Sequence, residues 1–549
     1  MKQKSVLIIL LLGFFIAKNL HGQIPNFEWA NSGIGSYAEN AANLASDKFG
    51  NTYLIGTFWS STLIFGTDTL FNQGSADIYI VKFNNQGNIV WAKSCGGNSD
   101  DGGGGVCCDS IGNIYIAGSY RSTITNFNNL TINKINPSVS AEMCLAKYDS
   151  NGNAIWVKQV FGDCWVSGGR LKVDDNNNIF VIGSGSAGTY IDFGAVAISN
   201  SPFATTAFLA KYDTSGNLLW VHKSEPSKDS YFYSLAADQN GNCYVVGHFD
   251  STLIKFDTIT LYNQGNILVN EIFIVKYDFN GNVAWAKSIH GSGDDQCFDI
   301  ACNKNGELAI TGYFKASLYH GIDTFTTQGL EDIFLAKLDT SGVINWITSR
   351  GGTGSDGCWN VAIDNAGNTI IGGFFSSPSI SFDTINLTLQ STNNDLFVVE
   401  FNNSGNATWA KHIFGDDYGG ISNLQLNSEN DILLCGAFNG TQIMFDTIVL
   451  PNQSALPSSL EAYIAKIKNY KNELGLNSIS QIDSTIIFPN PSRNRIYFKN
   501  KPRNCKVSLF DEQGKFIKYT YDDELSILNL NAGMYYVKYD GITKKVMVY

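Results

Sequence analysis

Seven tryptophans recur along the chain at intervals of 61 to 65 residues, and this regularity constrains the fold more than any other feature of the sequence. Self-similarity at a fixed period is the signature of repeat architectures, in which each copy is one small structural unit. Such a chain is expected to bury its core between neighbouring copies. The repeated tryptophans are Trp29, Trp91, Trp156, Trp220, Trp285, Trp346 and Trp409.

Each repeat contains two phrases that predict a tight turn between two strands. One is KYDTSGNLLW at 211–220, which returns as KYDFNGNVAW at 276–285. The other is ADQNGNCYVVG at 237–247, which returns as CDSIGNIYIAG at 108–118. Alternating polar and apolar residues around a glycine-containing turn are typical of a β-hairpin. Each unit is therefore predicted to hold four antiparallel strands, which we call a to d.

Seven units of four strands predict an all-β fold, a seven-bladed β-propeller with strand a nearest the axis and strand d outermost. The seventh unit ends after EAYIAKIK without a tryptophan strand, whereas the chain begins with a lone one, FEWAN. We expect that N-terminal strand to act as strand d of the last blade, which closes the ring and removes two exposed sheet edges.

The repeats resemble those of the bacterial seven-bladed propeller proteins known as SBBP repeats. In that family a Gly-Gly-x-x-x-Asp-Asp stretch precedes an Asp-x-x-Gly-Asn turn and an aromatic strand. The phrases above match the turn and the strand, and GGNSDDG at 96–102 resembles the first stretch with one residue fewer between the glycines and the acids. The resemblance covers about residues 24 to 468 and implies a fold, not a function, because propellers include enzymes, lectins and scaffolds.

The N-terminus, MKQKSVLIILLLGFFIAKNLHGQ, resembles a secretory signal peptide. Two lysines precede an apolar run of about 12 residues, which is shorter than the roughly 20 needed to span a bilayer as a helix. An uncleaved anchor is the alternative. The prediction is a signal peptide over 1–22, no transmembrane segment and passage through the periplasm.

The periodicity stops after Lys468, and a separate module of alternating strands follows a linker at 469–484. Residues 485–549 resemble the type A C-terminal sorting domain of the Bacteroidetes type IX secretion system, an Ig-like β-sandwich. That resemblance implies export to the cell surface or medium and a partnership with the secretion machinery; an ordinary ligand-binding β-domain is the alternative. The residues that match the family's motifs are Pro489, Asn490, Pro491, Gly514, Lys515, Gly533, Lys544 and Lys545.

The formal net charge of -12 argues against nucleic acid or an anionic membrane surface as a partner, since phosphate binding needs clustered Lys and Arg. The 11 cysteines follow no repeated framework, and most lie within predicted strands as small buried residues. Cys297 and Cys358 occupy the same place in successive repeats, which permits a disulfide bridge without establishing one.

A set of acids, separate from those of the hairpin turns, lies between each tryptophan strand and the next strand a. In a propeller these loops emerge on one face, so the acids predict a carboxylate ring at one mouth of the channel that could bind calcium or a basic ligand. The alternative is that they cap glycine turns, with no cofactor bound. The residues are Glu39, Asp100, Asp101, Asp163, Asp229, Asp294, Asp295, Asp356, Asp416 and Asp417.

The loop between strands b and c repeats Asp-Thr-aliphatic, as in FDTIT at 256–260 and FDTIV at 445–449. This triplet resembles the O-glycosylation acceptor of exported Bacteroidetes proteins, which would make Thr69, Thr258, Thr384 and Thr447 modification sites. Repetition for packing reasons would produce the same copies.

Catalytic motifs are absent from the sequence: six histidines are scattered, and no zinc-protease, nucleophile-elbow, P-loop or EF-hand pattern occurs. The uniform loops favour a secreted or cell-surface, non-enzymatic propeller that binds an unknown glycan or protein. A polysaccharide lyase or glycosidase is the alternative, and it would need a His, Tyr, Arg or paired-carboxylate set that breaks the repeat. A spacer for surface assembly is a third interpretation.

Overall fold

The computed structural model describes residues 24–226, 228–264, 269–454, 459–469, 486–488, 494–499, 506–511, 515–539 and 542–548. Within these ranges the chain consists of strands and turns, with no helix. It divides into two compact units, 1–470 and 471–549. The predicted signal peptide and most of the predicted linker lie outside the described residues.

The strands of the larger unit follow one another in a regular order. The first fourteen are β1 (Phe27–Ser32), β2 (Ile34–Gly35), β3 (Glu39–Ser46), β4 (Thr52–Phe58), β5 (Thr62–Phe65), β6 (Asp68–Phe71), β7 (Asp77–Phe83), β8 (Ile89–Gly97), β9 (Asp101–Cys108), β10 (Ile114–Tyr120), β11 (Ile124–Phe127), β12 (Leu130–Asn133), β13 (Glu142–Tyr148) and β14 (Ala154–Gly162). The next seventeen are β15 (Trp165–Val173), β16 (Ile179–Ser186), β17 (Tyr190–Asp192), β18 (Ala197–Ser199), β19 (Thr206–Tyr212), β20 (Leu218–Lys223), β21 (Glu225–Pro226), β22 (Ser230–Ala237), β23 (Cys243–Phe249), β24 (Leu253–Phe256), β25 (Ile259–Tyr262), β26 (Glu271–Tyr277), β27 (Val283–Gly291), β28 (Gln296–Cys302), β29 (Leu308–Phe314), β30 (Ser317–His320) and β31 (Asp323–Thr326). The remainder are β32 (Asp332–Leu338), β33 (Ile344–Arg350), β34 (Asp356–Ile363), β35 (Thr369–Phe375), β36 (Ser379–Phe382), β37 (Ile385–Thr388), β38 (Asp395–Phe401), β39 (Ala407–Gly415), β40 (Gly419–Leu426), β41 (Ile432–Phe438), β42 (Gln442–Phe445), β43 (Ile448–Pro451) and β44 (Glu461–Ile467).

These strands form repeated four-stranded antiparallel units, numbered 1 to 7 along the chain, as the two hairpin phrases predict. In strand order a to d the units are β3-β4-β7-β8, β9-β10-β13-β14, β15-β16-β19-β20, β22-β23-β26-β27, β28-β29-β32-β33, β34-β35-β38-β39 and β40-β41-β44-β1. The N-terminal β1 pairs with β44, so it occupies the outer position in unit 7. Each strand a packs beside strand a of the next unit, and β40 packs beside β3.

The hydrophobic core lies between neighbouring units. Leu44 and Leu54 of unit 1, for example, share one buried cluster with Leu433, Cys435 and Ile464 of unit 7. Strands b and c are buried over nearly their whole length, because they are covered on both faces by adjacent sheets. The repeat is therefore stabilised mainly by contacts between copies.

The turn phrases behave as hairpin turns. The Asp47 carboxylate accepts backbone hydrogen bonds from Phe49 and Asn51 at 2.9 Å each, and Gly50 has φ of +83°. An acceptor side chain that opens the turn and a glycine in the left-handed region account for the Asp-x-x-Gly pattern. Calcium is not needed to explain these turns.

The connection between strands b and c folds as a small hairpin that the sequence analysis did not predict. In unit 2 it is β11–β12, and β11 pairs with β8, the outer strand of unit 1. The same arrangement joins β17 to β14, β30 to β27 and β42 to β39. Each of these hairpins fastens one unit to the unit before it.

The ten cysteines within the described residues are all free thiols. Cys297 and Cys358 are both fully buried, and the disulfide bridge that their spacing permits is not formed.

The smaller unit contains two antiparallel sheets. Their strands are β45 (Ile486–Phe488), β46 (Arg495–Lys499), β47 (Val507–Phe510), β48 (Phe516–Thr520), β49 (Glu524–Ser526), β50 (Gly533–Tyr539) and β51 (Ile542–Val548). The sheet orders are β45-β46-β49 and β48-β47-β50-β51. Ile496 and Leu525 from the first sheet pack with Leu509 and Val537 from the second in one core.

Candidate binding site on the inner strands

Every strand a contains a β-bulge at the same place, near its middle. The pairing with strand b shifts between Phe232 and Ser234 in unit 4, for example, and between Cys358 and Asn360 in unit 6. A bulge leaves one residue out of the ladder and re-aims its side chain. The bulge residues are all half-buried, and they lie on the strands a, beside the space that we call the channel: Ala42, Gly104, Gly169 with Arg170, Tyr233, Phe298, Trp359 and Ser422.

The bulge residues divide the channel into two halves. Units 1, 2 and 7 carry Ala42, Gly104 and Ser422, whereas units 4 to 6 carry aromatic rings. On strand b beside those rings lie more rings: the Tyr233 centroid is 5.0 Å from His248, that of Phe298 is 5.6 Å from Tyr313, and that of Trp359 is 4.9 Å from Phe374. We call this set the aromatic wall: Tyr231, Tyr233, His248, Phe298, Tyr313, Trp359 and Phe374.

The aromatic wall is continuous across the junction of units 4 and 5. Tyr233 meets Phe298 edge to face, with ring centroids 5.2 Å apart, a geometry that aromatic pairs favour. Two residues before the bulge, the residues paired between strands a and b are Asn40–Thr57 in unit 1, Gly102–Ser119 in unit 2 and Ser167–Ser184 in unit 3. One side of this end of the channel is therefore aromatic, and the other is small and polar.

His248 is the one histidine of the aromatic wall. Burial lowers its pKa to about 4, against the smaller opposing influence of Asp294 and Asp250. Its Nδ1 atom is buried and has no hydrogen-bond partner within the described part of the chain. The ring is therefore neutral near pH 7.

Arg170 crosses the channel immediately beyond the aromatic wall. Its Nη1 atom lies 2.7 Å from Oδ1 of Asp299, and its Nη2 atom donates to the carbonyl of Ser422 at 3.4 Å. Asp299 also accepts from Ser234 Oγ at 2.5 Å and from the Val361 amide at 2.9 Å. This bridge joins units 3 to 7 and separates the aromatic wall from the rest of the channel.

A cavity of about 210 Å³ lies on the other side of the bridge, toward the Asp-x-x-Gly turns that end the strands a. Its lining includes Arg170, Lys172 and Asp299, the amides Asn43, Asn423 and Gln425, and the alanines Ala236, Ala301 and Ala362. Burial among these lining residues lowers the pKa of Lys172, and nearby Arg170 lowers it further, whereas Asp299 opposes the shift. The Lys172 side chain is nevertheless exposed to the cavity.

The ten acids predicted to ring one mouth separate into two sets. Glu39, Asp101, Asp295 and Asp356 are buried at the start of strand a. They cap neighbouring turns: Asp101 accepts from Ser122 Oγ at 2.7 Å and Asp356 from Ser377 Oγ at 2.6 Å. The other six are half-buried or exposed and also cap turns or pair with cations: Asp100, Asp163, Asp229, Asp294, Asp416 and Asp417.

This placement differs from the open ring that the sequence predicts. Within the described residues, no group of three or more His, Cys, Asp or Glu side chains is arranged to hold a metal ion. The four buried acids are covered because the b–c connection of their own unit folds over them and donates hydrogen bonds to them, as the amides of Arg121 and Ser122 do to Asp101. Calcium binding stays a prediction.

A partner acid that the sequence analysis missed lies beside each of the four buried ones, at the start of strand c in the preceding unit. The pairs are Glu461 with Glu39, Asp77 with Asp101, Glu271 with Asp295 and Asp332 with Asp356. Burial, helped by these like charges, raises the pKa of Asp295 to about 8, of Glu39 to about 7, and of Asp77 and Asp332 to about 6.

Where the second acid is absent, the remaining one has a different partner. Asp395 begins strand c of unit 6, but strand a of the next unit begins with Gly419 instead of an acid. The Asp395 Oδ2 atom lies 2.7 Å from His412 Nε2. Burial alone would raise its pKa, but His412 and the Gln390 amide lower it overall. Raised carboxyl pKa values therefore occur at the junctions between units where two buried acids lie side by side. The acid before strand c recurs in six units of the sequence, and that recurrence was the available signal.

The four threonines of the Asp-Thr triplets are all exposed. Thr258, Thr384 and Thr447 take the second position of two-residue turns, after an aspartate with positive φ, between the strands of the b–c hairpins. Thr69 lies instead inside β6, because Gly66 and Thr67 form the turn in unit 1. Their glycosylation stays a prediction.

Part of the predicted sorting signal can be placed. Lys515 precedes β48, Gly533 begins β50, and Lys544 and Lys545 lie in β51. Pro489, Asn490, Pro491 and Gly514 lie outside the described residues.

Residues 486–548 match the family model of the secretion system C-terminal sorting domain. This match confirms that the protein is secreted to the cell surface or beyond it, and it implies engagement with the type IX machinery. In the part of the chain that the structure describes, no helix has the length and apolar character needed to cross a bilayer.

The larger unit is similar to proteins of the β-propeller kind. An uncharacterized WD repeat-containing protein of Acanthamoeba polyphaga mimivirus is 24% identical over 442 residues, covering 65% of this chain and 32% of its own length. This chain thus spans about a third of that relative.

Two solved structures are similar to this chain at low identity. The Pan2 WD40 domain of Neurospora crassa is 10% identical with a TM-score of 0.26, and 55% of this chain and 89% of that one are covered. A polysaccharide lyase of the ulvan lyase type is 12% identical with a TM-score of 0.37, with 74% and 93% covered. Likenesses this weak carry no argument about function.

Proposed function

We propose that residues 24–469 form a closed seven-bladed β-propeller that the type IX pathway delivers to the cell surface as a non-enzymatic glycan-binding module. The pairing of β1 with β44 and the packing of β40 beside β3 support the closure. The observation that carries the binding role is the aromatic wall. It replaces, in three consecutive units, side chains that are small or polar in the others.

The chemistry of the two sides favours a sugar chain over an apolar peptide. Binding sites combine apolar and aromatic surface with a few placed polar groups. A pyranose ring has one face of C–H groups that packs on an aromatic ring, while its hydroxyls need hydrogen-bond partners. Trp359 and Phe298 would supply the first surface, and Asn40, Ser119 and Ser167 the second.

A glycan-binding screen on the purified secreted protein tests this function. We expect Trp359→Ala to weaken the retained glycan at least tenfold, because stacked aromatics dominate such interfaces. Tyr262→Ala is the matched control, since Tyr262 is an exposed aromatic on the outer β25 and should leave binding unchanged. Equal loss in both variants, or a ligand that binds the Trp359→Ala protein normally, would refute the aromatic wall as the site.

A polysaccharide lyase is the second candidate, and the cluster of His248 with Tyr231 and Tyr233 favours it. A neutral histidine beside tyrosines is a set that proton abstraction can use. If this candidate holds, the protein depolymerises a bound glycan, and His248→Gln abolishes turnover while weakening glycan binding much less than Trp359→Ala does. Binding without chain cleavage by the wild-type protein would reject it.

A further inference from the structure

The 210 Å³ cavity beyond the Arg170 bridge takes no part in the proposed glycan site, and it has the size of a small-molecule site. An engineered protein cavity of about 150 Å³ admits benzene. This cavity could therefore hold an organic molecule of roughly benzene size with one polar substituent.

The charges around the cavity do not balance. Asp299 is its one lining carboxylate within the described residues, and both of its oxygens are engaged, Oδ1 by Arg170 and Ser234 and Oδ2 by the Val361 amide. Lys172 has no carboxylate within ion-pair distance in the described chain, whereas Lys211 and Lys466 of other units each have one. The lining thus carries one unmatched positive charge in a protein whose net charge is -12.

The remaining surface suits the body of such a ligand. Ala236, Ala301 and Ala362 line part of the cavity together with aliphatic residues such as Ile300 and Leu424, and Asn43 and Asn423 line the same space. Small side chains at these positions leave the room that larger ones would fill. An unmatched ammonium in a partly apolar cavity attracts a carboxylate more strongly than the same group does in bulk water, because the effective dielectric constant there is lower.

We propose that this cavity binds a small organic carboxylate with an apolar body, held by an ion pair between its carboxylate and Nζ of Lys172. The Arg170–Asp299 bridge closes the end of the site that faces the aromatic wall. Binding is independent of the glycan site, so either one can fail without the other.

Calorimetric titration of the full secreted protein with sodium benzoate tests the proposal, with benzamide as the neutral analogue of the same shape. We expect one benzoate per chain, at least tenfold weaker binding of benzamide, and at least tenfold weaker benzoate binding by Lys172→Met. Lys172→Arg keeps the charge and should restore affinity. Lys255→Met, an exposed lysine on β24, is the matched control and should bind benzoate as the wild type does.

Several results would overturn the proposal. Benzamide binding as well as benzoate would remove the role of charge, and unchanged benzoate affinity in Lys172→Met would remove the role of Lys172. Inorganic phosphate binding in place of benzoate would assign the site to another class of anion. If Lys172→Met does not fold, the wild-type affinity for benzoate at rising pH decides, since it must fall as Lys172 loses its proton.

Discussion

The indole Nε1 of Trp29 donates a hydrogen bond of 3.2 Å to the carbonyl oxygen of Asn85, which joins the first strand of the chain to a turn of unit 1. Trp29 lies in β1, the outer strand of unit 7, so this bond links the last unit to the first. Five other repeated tryptophans make the same bond to the c–d turn of the following unit, from Trp91 to Ser150 through to Trp346 to Asn403. The glycine of each turn lies against the ring, and a Cβ on Gly87 would lie 2.6 Å from Trp29.

We expect Trp29→Ala to destabilise the larger unit by about 3–5 kcal/mol, the usual range for a buried Trp-to-Ala change. The variant loses ring packing on Gly87 and the bond to Asn85. Trp59→Ala is the control, because Trp59 is 38% exposed, and its cost should be below about 1 kcal/mol. Urea midpoints of both variants measure the difference, and equal midpoints would show that Trp29 has no special role.

The carboxyl pairs predict that stability falls as pH rises. Asp295, Glu39, Asp77 and Asp332 have pKa values of about 8, 7, 6 and 6 in the folded chain, above the roughly 4 of an unfolded carboxyl. Groups with raised values contribute stability that is complete below pH 4 and lost as pH rises through the folded value. We therefore expect Tm to decrease between pH 5 and pH 9.

Asp295→Asn should flatten the upper part of that decrease, because an amide carries no charge and keeps the acceptor for the Lys315 amide, which lies 3.2 Å from Oδ1. Asp100→Asn is the matched control, since Asp100 is a partly exposed acid paired with Arg121. A Tm that rises with pH, or identical pH profiles for the wild type and Asp295→Asn, would contradict the assignment.

Calcium would be expected at the junction of units 4 and 5, where Oδ2 of the buried Asp295 has no hydrogen-bond partner in the described chain. Oxygen ligands of this kind suit calcium, and at alkaline pH a cation would replace the proton that Asp295 holds below its raised pKa. We expect calcium to raise Tm at pH 8 and Asp295→Asn to remove the shift. Asp101→Asn and Asp356→Asn should reduce it less, since serine hydroxyls already bind those acids. A Tm unaffected by calcium would reject the cation site.

Mass spectrometry of the protein, purified after secretion from the cells that naturally make it, tests whether the threonines of the Asp-Thr triplets are glycosylated. We expect glycan mass on Thr258, Thr384 and Thr447, whose exposed turn positions allow an enzyme to reach the hydroxyl, and a lower level on Thr69 inside β6. Thr260, two residues after Thr258 on β25, is the internal control. Unmodified peptides at all four Asp-Thr sites would leave packing as the reason for the repeat.

Removal of residues 485–549 should trap the protein in the periplasm, because those residues contain the matched sorting domain. Fractionation and immunoblotting measure this, with the full chain as the control. Release of the truncated protein into the medium at the normal level would refute the sorting role.

The strand content and order were predictable because they depend on local chemistry. Asp47 and Gly50 form a hairpin turn through contacts within the turn itself. The position of Trp29 in the repeat predicts an outer strand. The bulge at Tyr233 was not predicted, because the one-residue break in alternation that a bulge causes does not stand out in a short strand without a clear polar and apolar alternation. The b–c hairpins were missed because their pairing with the preceding unit is a contact between copies.

The amino-acid sequence by itself determined the repeated hairpins, their turns and the C-terminal sorting domain, because each is encoded in short stretches of neighbouring residues. Only the tertiary structure decided which side chains meet across units: Arg170 with Asp299, Glu271 with Asp295, and Tyr233 with Phe298. The physical reason is that these contacts join residues about 24 to 129 positions apart, which become neighbours only when sheets pack side by side.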